Sequence, residues 1–209
     1  MGIGGSWKAW VFLVGLSLTI GLFVLAWAYQ RFPGDEPVLL ALQGLRTEWL
    51  DTVVAALTML GDAVVALPMV GLTILGLILS RRRVDALAVA ATIFALGLGH
   101  ILKTAVGRTR PDHVRAGADA SGLSFPSGHT VAAFLLGGIL IVLANDLIRP
   151  LWIRRGVQIG LGTLVLAVGF SRVYLGVHWP SDVIGAYLFA GVSLVLIWTL
   201  RNTLVSNGW

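Results

Sequence analysis

The side chains that could do chemistry fall at three places separated by long apolar runs. The first holds Lys103 and Arg110, the second is Phe125-Pro126-Ser127-Gly128-His129-Thr130, and the third holds Arg172, His178 and Asp182. Lys103, Arg110 and Arg172 are three cations, and two are arginines whose planar forks suit bidentate phosphate contacts. Ser127 is a good N-cap for a helix starting there, and Gly128 lets the chain come close to a ligand. The free N–H groups of that helix start form an anion site. His178 and Asp182 are four residues apart, so the carboxylate can meet one imidazole nitrogen and fix the tautomer. The other nitrogen is then left to attack phosphorus. His129 is the candidate general acid for the leaving oxygen. The inventory fits phosphoryl chemistry.

Taken singly, each residue has a plainer reading. A histidine at a membrane interface is usually structural, and Arg and Lys near helix ends usually snorkel to the headgroups. Taken together, these residues can act only if the elements between them bring three segments to one place. Of 209 residues, 57% are hydrophobic and 12% are charged, against roughly 25% charged in an average soluble domain. The apolar residues form runs near 10–29, 53–79, 86–106, 130–144, 157–173 and 183–200. Such runs predict an all-α integral membrane protein with six transmembrane helices, read as one domain over 1–209. Ala26-Trp27-Ala28 mimics a signal-cleavage site, but the preceding apolar core is longer than a typical signal segment.

Between the first two spans, Phe32-Pro33-Gly34-Asp35-Glu36-Pro37 is turn chemistry. The pattern from Val38 to Leu50 then predicts one short amphipathic helix at the interface. The second run is interrupted by Gly61-Asp62 and by Pro68, with Asp62 expected to cap a helix near the interface. Six alternating crossings put the end of span 3, the start of span 4 and the junction of spans 5 and 6 on one face. That is where the polar residues accumulate.

The opposite face carries Lys8, Arg81, Arg82, Arg83, Arg149, Arg154, Arg155 and Arg201, against seven cations on the site face. Setting aside Lys103, Arg110 and Arg172 as ligand-binding leaves eight against four. This predicts cytoplasmic termini and a site on the outer face. Dispersed cations at the ends of apolar runs suit topology and a local anion, not nucleic acid. There is no cysteine, which excludes disulfides, thiolate nucleophiles and Cys-based metal sites. No repeat of twenty to fifty residues is present.

Lys103-x6-Arg110-Pro111, then Pro126-Ser127-Gly128-His129, then Ser171-Arg172-x5-His178-x3-Asp182 resembles the three-part signature of the type-2 phosphatidic acid phosphatase family. All three parts match in order and spacing. The resemblance implies that Lys103, Arg110, Ser127, Gly128 and Arg172 hold the phosphate. It implies that His178 is a nucleophile forming a phosphohistidine, that Asp182 supports it, and that His129 protonates the leaving group and then helps activate water. It further implies no cofactor and no metal. The expected partner is a membrane lipid phosphate (undecaprenyl diphosphate, phosphatidylglycerophosphate or phosphatidic acid) cleaved at the periplasmic side of a bacterial inner membrane. No obligate protein partner is expected. A lipid A phosphatase or a phosphotransferase would use the same chemistry, and an anionic-lipid transporter would use the cations alone. Outside the signature, Arg108, His113 and Arg115 read as a solvated loop, and His100 as helix packing or an interhelical hydrogen bond.

Overall fold

The computed structural model describes residues 6–112 and 121–208. His113 and Arg115 lie outside the described residues. The chain forms α1 (Ser6–Ala28), α2 (Asp35–Gln43), α3 (Glu48–Thr58), a 3-10 turn (Met59–Gly61), α4 (Ala63–Leu79), α5 (Arg83–Val106), α6 (Gly128–Leu147), α7 (Leu151–Tyr174) and α8 (Pro180–Ser206). There is no strand among the described residues. Five helices are long and apolar enough to cross a membrane, and the pair α3–α4, bent by 48°, makes a sixth candidate span. The 24 residues of α5 reach roughly 36 Å, enough for the ~30 Å hydrocarbon layer.

Helix α6 is the central element. It packs on α5, α7 and α8, with α4 and the 3-10 turn against its remaining side. Val131, Leu135, Ile139 and Leu143 of α6 meet Val89 of α5 and Ala186, Phe189 and Ala190 of α8 in the main core. In lipid, helices gain little hydrophobic energy by associating, so small residues that allow close approach carry the packing. Gly185 of α8 shows why. A Cβ there would stand 2.4 Å from two ring carbons of Phe125, and Phe125 is fully buried with nowhere to move. Gly185→Ala should therefore cost roughly 1–3 kcal/mol through overpacking, read as a lower midpoint of thermal unfolding in detergent. Because Phe125 directly precedes Pro126-Ser127, the same variant should also lose activity.

At the end opposite the site, Arg201 donates from Nε to Asp85 Oδ1 (2.8 Å) and from Nη2 to Asp146 Oδ2 (2.9 Å). Arg82 pairs with Asp85 as well. These bonds tie the ends of α5, α6 and α8 together.

Three expectations about the fold need correction. The segment after α1 is two helices, not one. α2 ends at Gly44 and the chain is extended at Thr47 before α3. Nor is α2 only a surface helix: its Leu39 is buried against Val173, Trp179 and Val183. In the same way α3 covers the end of α7, with Val54 packed on Tyr174, Leu175 and Val177. Pro68 does not interrupt its run, since it lies inside α4, as membrane helices tolerate. Gly61-Asp62 does interrupt it. Asp62 caps α4, its Oδ1 accepting from Val64 N at 3.0 Å. Gly61 is pressed on the first turn of α6, where a Cβ would stand 2.7 Å from the His129 carbonyl oxygen.

Candidate active site

The three signature segments meet at one end of the bundle. His178 lies in the turn between α7 and α8 and is 1% exposed. Pro180 opens α8, and Asp182 in its first turn is fully buried. Asp182 Oδ2 stands 3.3 Å from His178 Nδ1 and accepts from Trp179 N at 2.8 Å. On the other side of the ring, Arg110 Nη1 is 3.1 Å from His178 Nε2. A guanidinium only donates, so this contact requires a lone pair on Nε2 and places the ring proton on Nδ1, facing Asp182. Burial first, and then the charges of Arg110, Lys103 and Arg172, hold the imidazole well below its ordinary value of 6.5. His178 is therefore neutral at pH 7, with its Nε2 lone pair turned toward Arg110.

Backbone or hydroxyl oxygens accept from each of the three cations. Arg110 donates to Val177 O at 2.7 Å and Gly122 O at 3.1 Å. Lys103 Nζ donates to Leu123 O at 3.3 Å. Arg172 Nη1 donates to Thr58 Oγ1 at 2.6 Å, while its buried Nε has no partner among the described residues. A buried N–H without an acceptor is costly, and an anion bound between these cations would satisfy it.

Ser127 occupies the N-cap position of α6, but its side chain makes no capping bond. Its hydroxyl accepts from Thr130 Oγ1 at 2.9 Å instead. The first N–H groups of α6 thus remain available as anion donors, with Gly128 leading. His129 follows in the first turn, half-buried, with Nε2 4.0 Å from Asp62 Oδ2. The structure thus gathers Lys103, Arg110, Ser127, Gly128, His129, Arg172, His178 and Asp182 in one region. His100 is apart from it, exposed on the outside of α5. It is not packed between helices as the sequence suggested.

Sequence reasoning missed several groups. Arg108 is not solvated: it is fully buried, and Nη1 donates to Asp182 Oδ1 at 2.7 Å and to Ser181 Oγ at 2.7 Å. Its Nη2 donates to Asp35 Oδ2 at 2.7 Å, and Nε to Gln30 O at 3.1 Å. Burying an unpaired guanidinium is prohibitive, and two carboxylates reverse the balance. Ser124, at the end of the same loop, donates to Asp182 Oδ2 and lies 3.4 Å from His178 Nδ1. Thr58 and Asp62 come from the α3–α4 break. The polar pair Gly61-Asp62 inside an apolar run was the one sequence signal for that contribution.

Comparison with known proteins identifies the family. The family model described as the PAP2 superfamily matches residues 85–206. Phosphatidylglycerophosphatase B of Bacillus subtilis is 33% identical over 159 residues, covering 73% of this chain and 76% of that protein. An undecaprenyl-diphosphatase of Sulfolobus acidocaldarius is 32% identical over 122 residues, covering 56% of this chain and 55% of its own. Among solved structures, a transmembrane PAP2-type phosphatidylglycerolphosphate phosphatase from Bacillus subtilis superposes with a TM-score of 0.74 at 28% identity. That match covers 88% of this chain and 96% of the other. With the bundle, the three converging segments and these relatives in agreement, the chain belongs to the PAP2 superfamily.

Proposed function

We propose that the protein hydrolyses the phosphate monoester or diphosphate of a membrane lipid through a phosphohistidine, at the periplasmic face of a bacterial inner membrane. The observation that carries this reading is the two-sided setting of His178: Nδ1 is held by Asp182, and Nε2 is aimed at Arg110 among the three cations. In the first step Nε2 attacks phosphorus as the P–O bond to the lipid breaks, and His129 gives its proton to the departing oxygen. The positive charge on the imidazole is stabilised by Asp182. In the second step water attacks phosphorus, His129 takes its proton, and the P–N bond breaks to release inorganic phosphate. Lys103, Arg110, Arg172 and the α6 N-terminus hold the equatorial oxygens, with Ser127 and Gly128 at that helix start.

The substrates in view are phosphatidylglycerophosphate, undecaprenyl diphosphate and phosphatidic acid, each with an apolar tail in the bilayer and a phosphate at its edge. Free phosphate released from these three in detergent tests the reading. Turnover of at least one, with phosphate matching lipid consumed, is expected. Lipid loss without free phosphate would favour transfer to another hydroxyl, and no turnover of any lipid phosphate would overturn the proposal. Orientation is tested separately. The chain has no cysteine, so single cysteines at Ser80 and Thr109 give clean labels. An impermeant thiol reagent on intact cells should reach Thr109→Cys and spare Ser80→Cys.

A further inference from the structure

We propose that Arg108 is a positioning residue for the catalytic dyad, clamping the Asp182 carboxylate from behind, and that Asp35 on α2 anchors the clamp. This inference rests on the reading of His178 and Asp182 given above.

Asp182 has two oxygens with separate duties. Oδ1 receives Arg108 Nη1 at 2.7 Å. Oδ2 receives Trp179 N and Ser124 Oγ and faces His178 Nδ1. With Oδ1 fixed, the carboxylate cannot turn about its terminal bond, and Oδ2 stays on the imidazole N–H. Arg108 is itself fixed from the far side. Asp35 Oδ2 accepts from Arg108 Nη2 at 2.7 Å and from Ser181 Oγ at 2.8 Å, and Asp35 Oδ1 accepts from Ser181 N at 3.0 Å. The Phe32 ring lies under the guanidinium, 4.6 Å from Cζ. The chain Asp35–Arg108–Asp182–His178 is therefore a row of alternating partners, with Asp35 3%, Arg108 0%, Asp182 0% and His178 1% exposed. Neither the Arg108 nor the Asp35 side chain reaches His178, and Asp182 is the side chain that joins Arg108 to the imidazole. The row also gives the segment between α1 and α3 a role. It carries α2 and hence the outer anchor of the dyad.

The test compares kcat and KM for phosphate release in detergent by wild type, Arg108→Gln, Asp35→Asn, Asp182→Asn, Arg108→Gln/Asp182→Asn and His178→Ala. Arg108→Gln should lower kcat by about 10–100-fold, the range typical of groups that orient a catalytic residue, with KM little changed. In the Asp182→Asn background the same substitution should cost almost nothing more, because the carboxylate it positions is already gone. Orthovanadate should still bind Arg108→Gln with near wild-type affinity, since the three phosphate-holding cations are untouched. Losses that multiply in the double variant, or a wild-type kcat for Arg108→Gln, would overturn the clamp. Where Arg108→Gln does not fold, Asp35→Asn decides by the same comparison. It keeps the shape of the anchor, and should lower kcat several-fold only when Asp182 is intact. Wild-type turnover by His178→Ala would remove the underlying reading, whereas an inactive His178→Ala beside a fully active Arg108→Gln would remove this inference alone.

Discussion

Replacing His178 with alanine should abolish release of phosphate from a lipid phosphate while leaving the protein folded and able to bind a phosphate analogue. The expected loss in kcat is on the order of 10⁴-fold or more, the scale seen when a covalent catalyst loses its nucleophile. The size follows from the site's design. On the proposed mechanism Arg110, Lys103 and Arg172 stabilise charge on the phosphoryl oxygens, but among the described residues no other side chain offers phosphorus a neutral lone pair at a position like that of Nε2, 3.1 Å from Arg110 Nη1. The imidazole is small and its walls are Ser124, Asp182 and the 175–179 turn, so truncation leaves a cavity without breaking a helix. Two measurements check the prediction. Steady-state phosphate release should fall to background, and rapid acid-free quenching of wild type with labelled substrate should trap a phosphoryl group on protein that is stable in alkali and labile in acid, as a phosphoramidate is. His178→Ala should trap none. Wild-type-like turnover by this variant would rule out covalent catalysis by His178. Asp182→Asn should be less severe. It removes the charge that supports the imidazolium but leaves Nε2 in place, so a large reduction with a remaining trapped intermediate is expected.

The parts of the architecture that follow from local chemistry were legible in the sequence. Runs of apolar residues specify spans because a bilayer demands a fixed length of satisfied backbone. The break at Gly61-Asp62 was visible because a glycine and a capping acid together end a helix. The family signature was legible because its three motifs stand in order and at fixed spacing. Arg108 was not, for a physical reason. Its position between Lys103 and Arg110 says nothing of burial, and its charge argues for solvent unless counter-charges are known. Those are Asp35 and Asp182, 73 and 74 residues away, and only the tertiary fold brings them together. Thr58 was hidden in the same way, as one of two threonine hydroxyls on α3 whose value lies in meeting Arg172. Segment-by-segment reading likewise could not separate a helix lying on the surface from α2, whose Leu39 is sunk among Val173, Trp179 and Val183. The pattern is amphipathic in both cases, and only the partner differs.

His129→Ala should produce a different defect from His178→Ala, one that depends on the leaving group. His129 stands at the first turn of α6, across the site from the dyad, with Asp62 4.0 Å from its Nε2. Its proposed task is to give a proton to the oxygen that departs with the lipid. A glycerol or prenyl alkoxide is a poor leaving group and needs that proton, so loss of the acid should cost about 10²–10⁴-fold on a lipid monoester. A nitrophenyl phosphate expels a stabilised phenolate without help, so formation of the phosphohistidine from it should be nearly normal in the same variant. The second step still needs His129 to take a proton from water. The intermediate should therefore accumulate: mixing His129→Ala with nitrophenyl phosphate should give one rapid equivalent of nitrophenol per active site, followed by slow turnover. Wild type should show a smaller burst or none, because both steps are assisted. An equal loss on alkyl and aryl substrates, with no burst, would mean that His129 holds the phosphate or supports α6 and does not move the proton. The two histidines are thus separable by experiment: His178→Ala removes the covalent step for every substrate, while His129→Ala spares that step wherever the leaving group departs unaided.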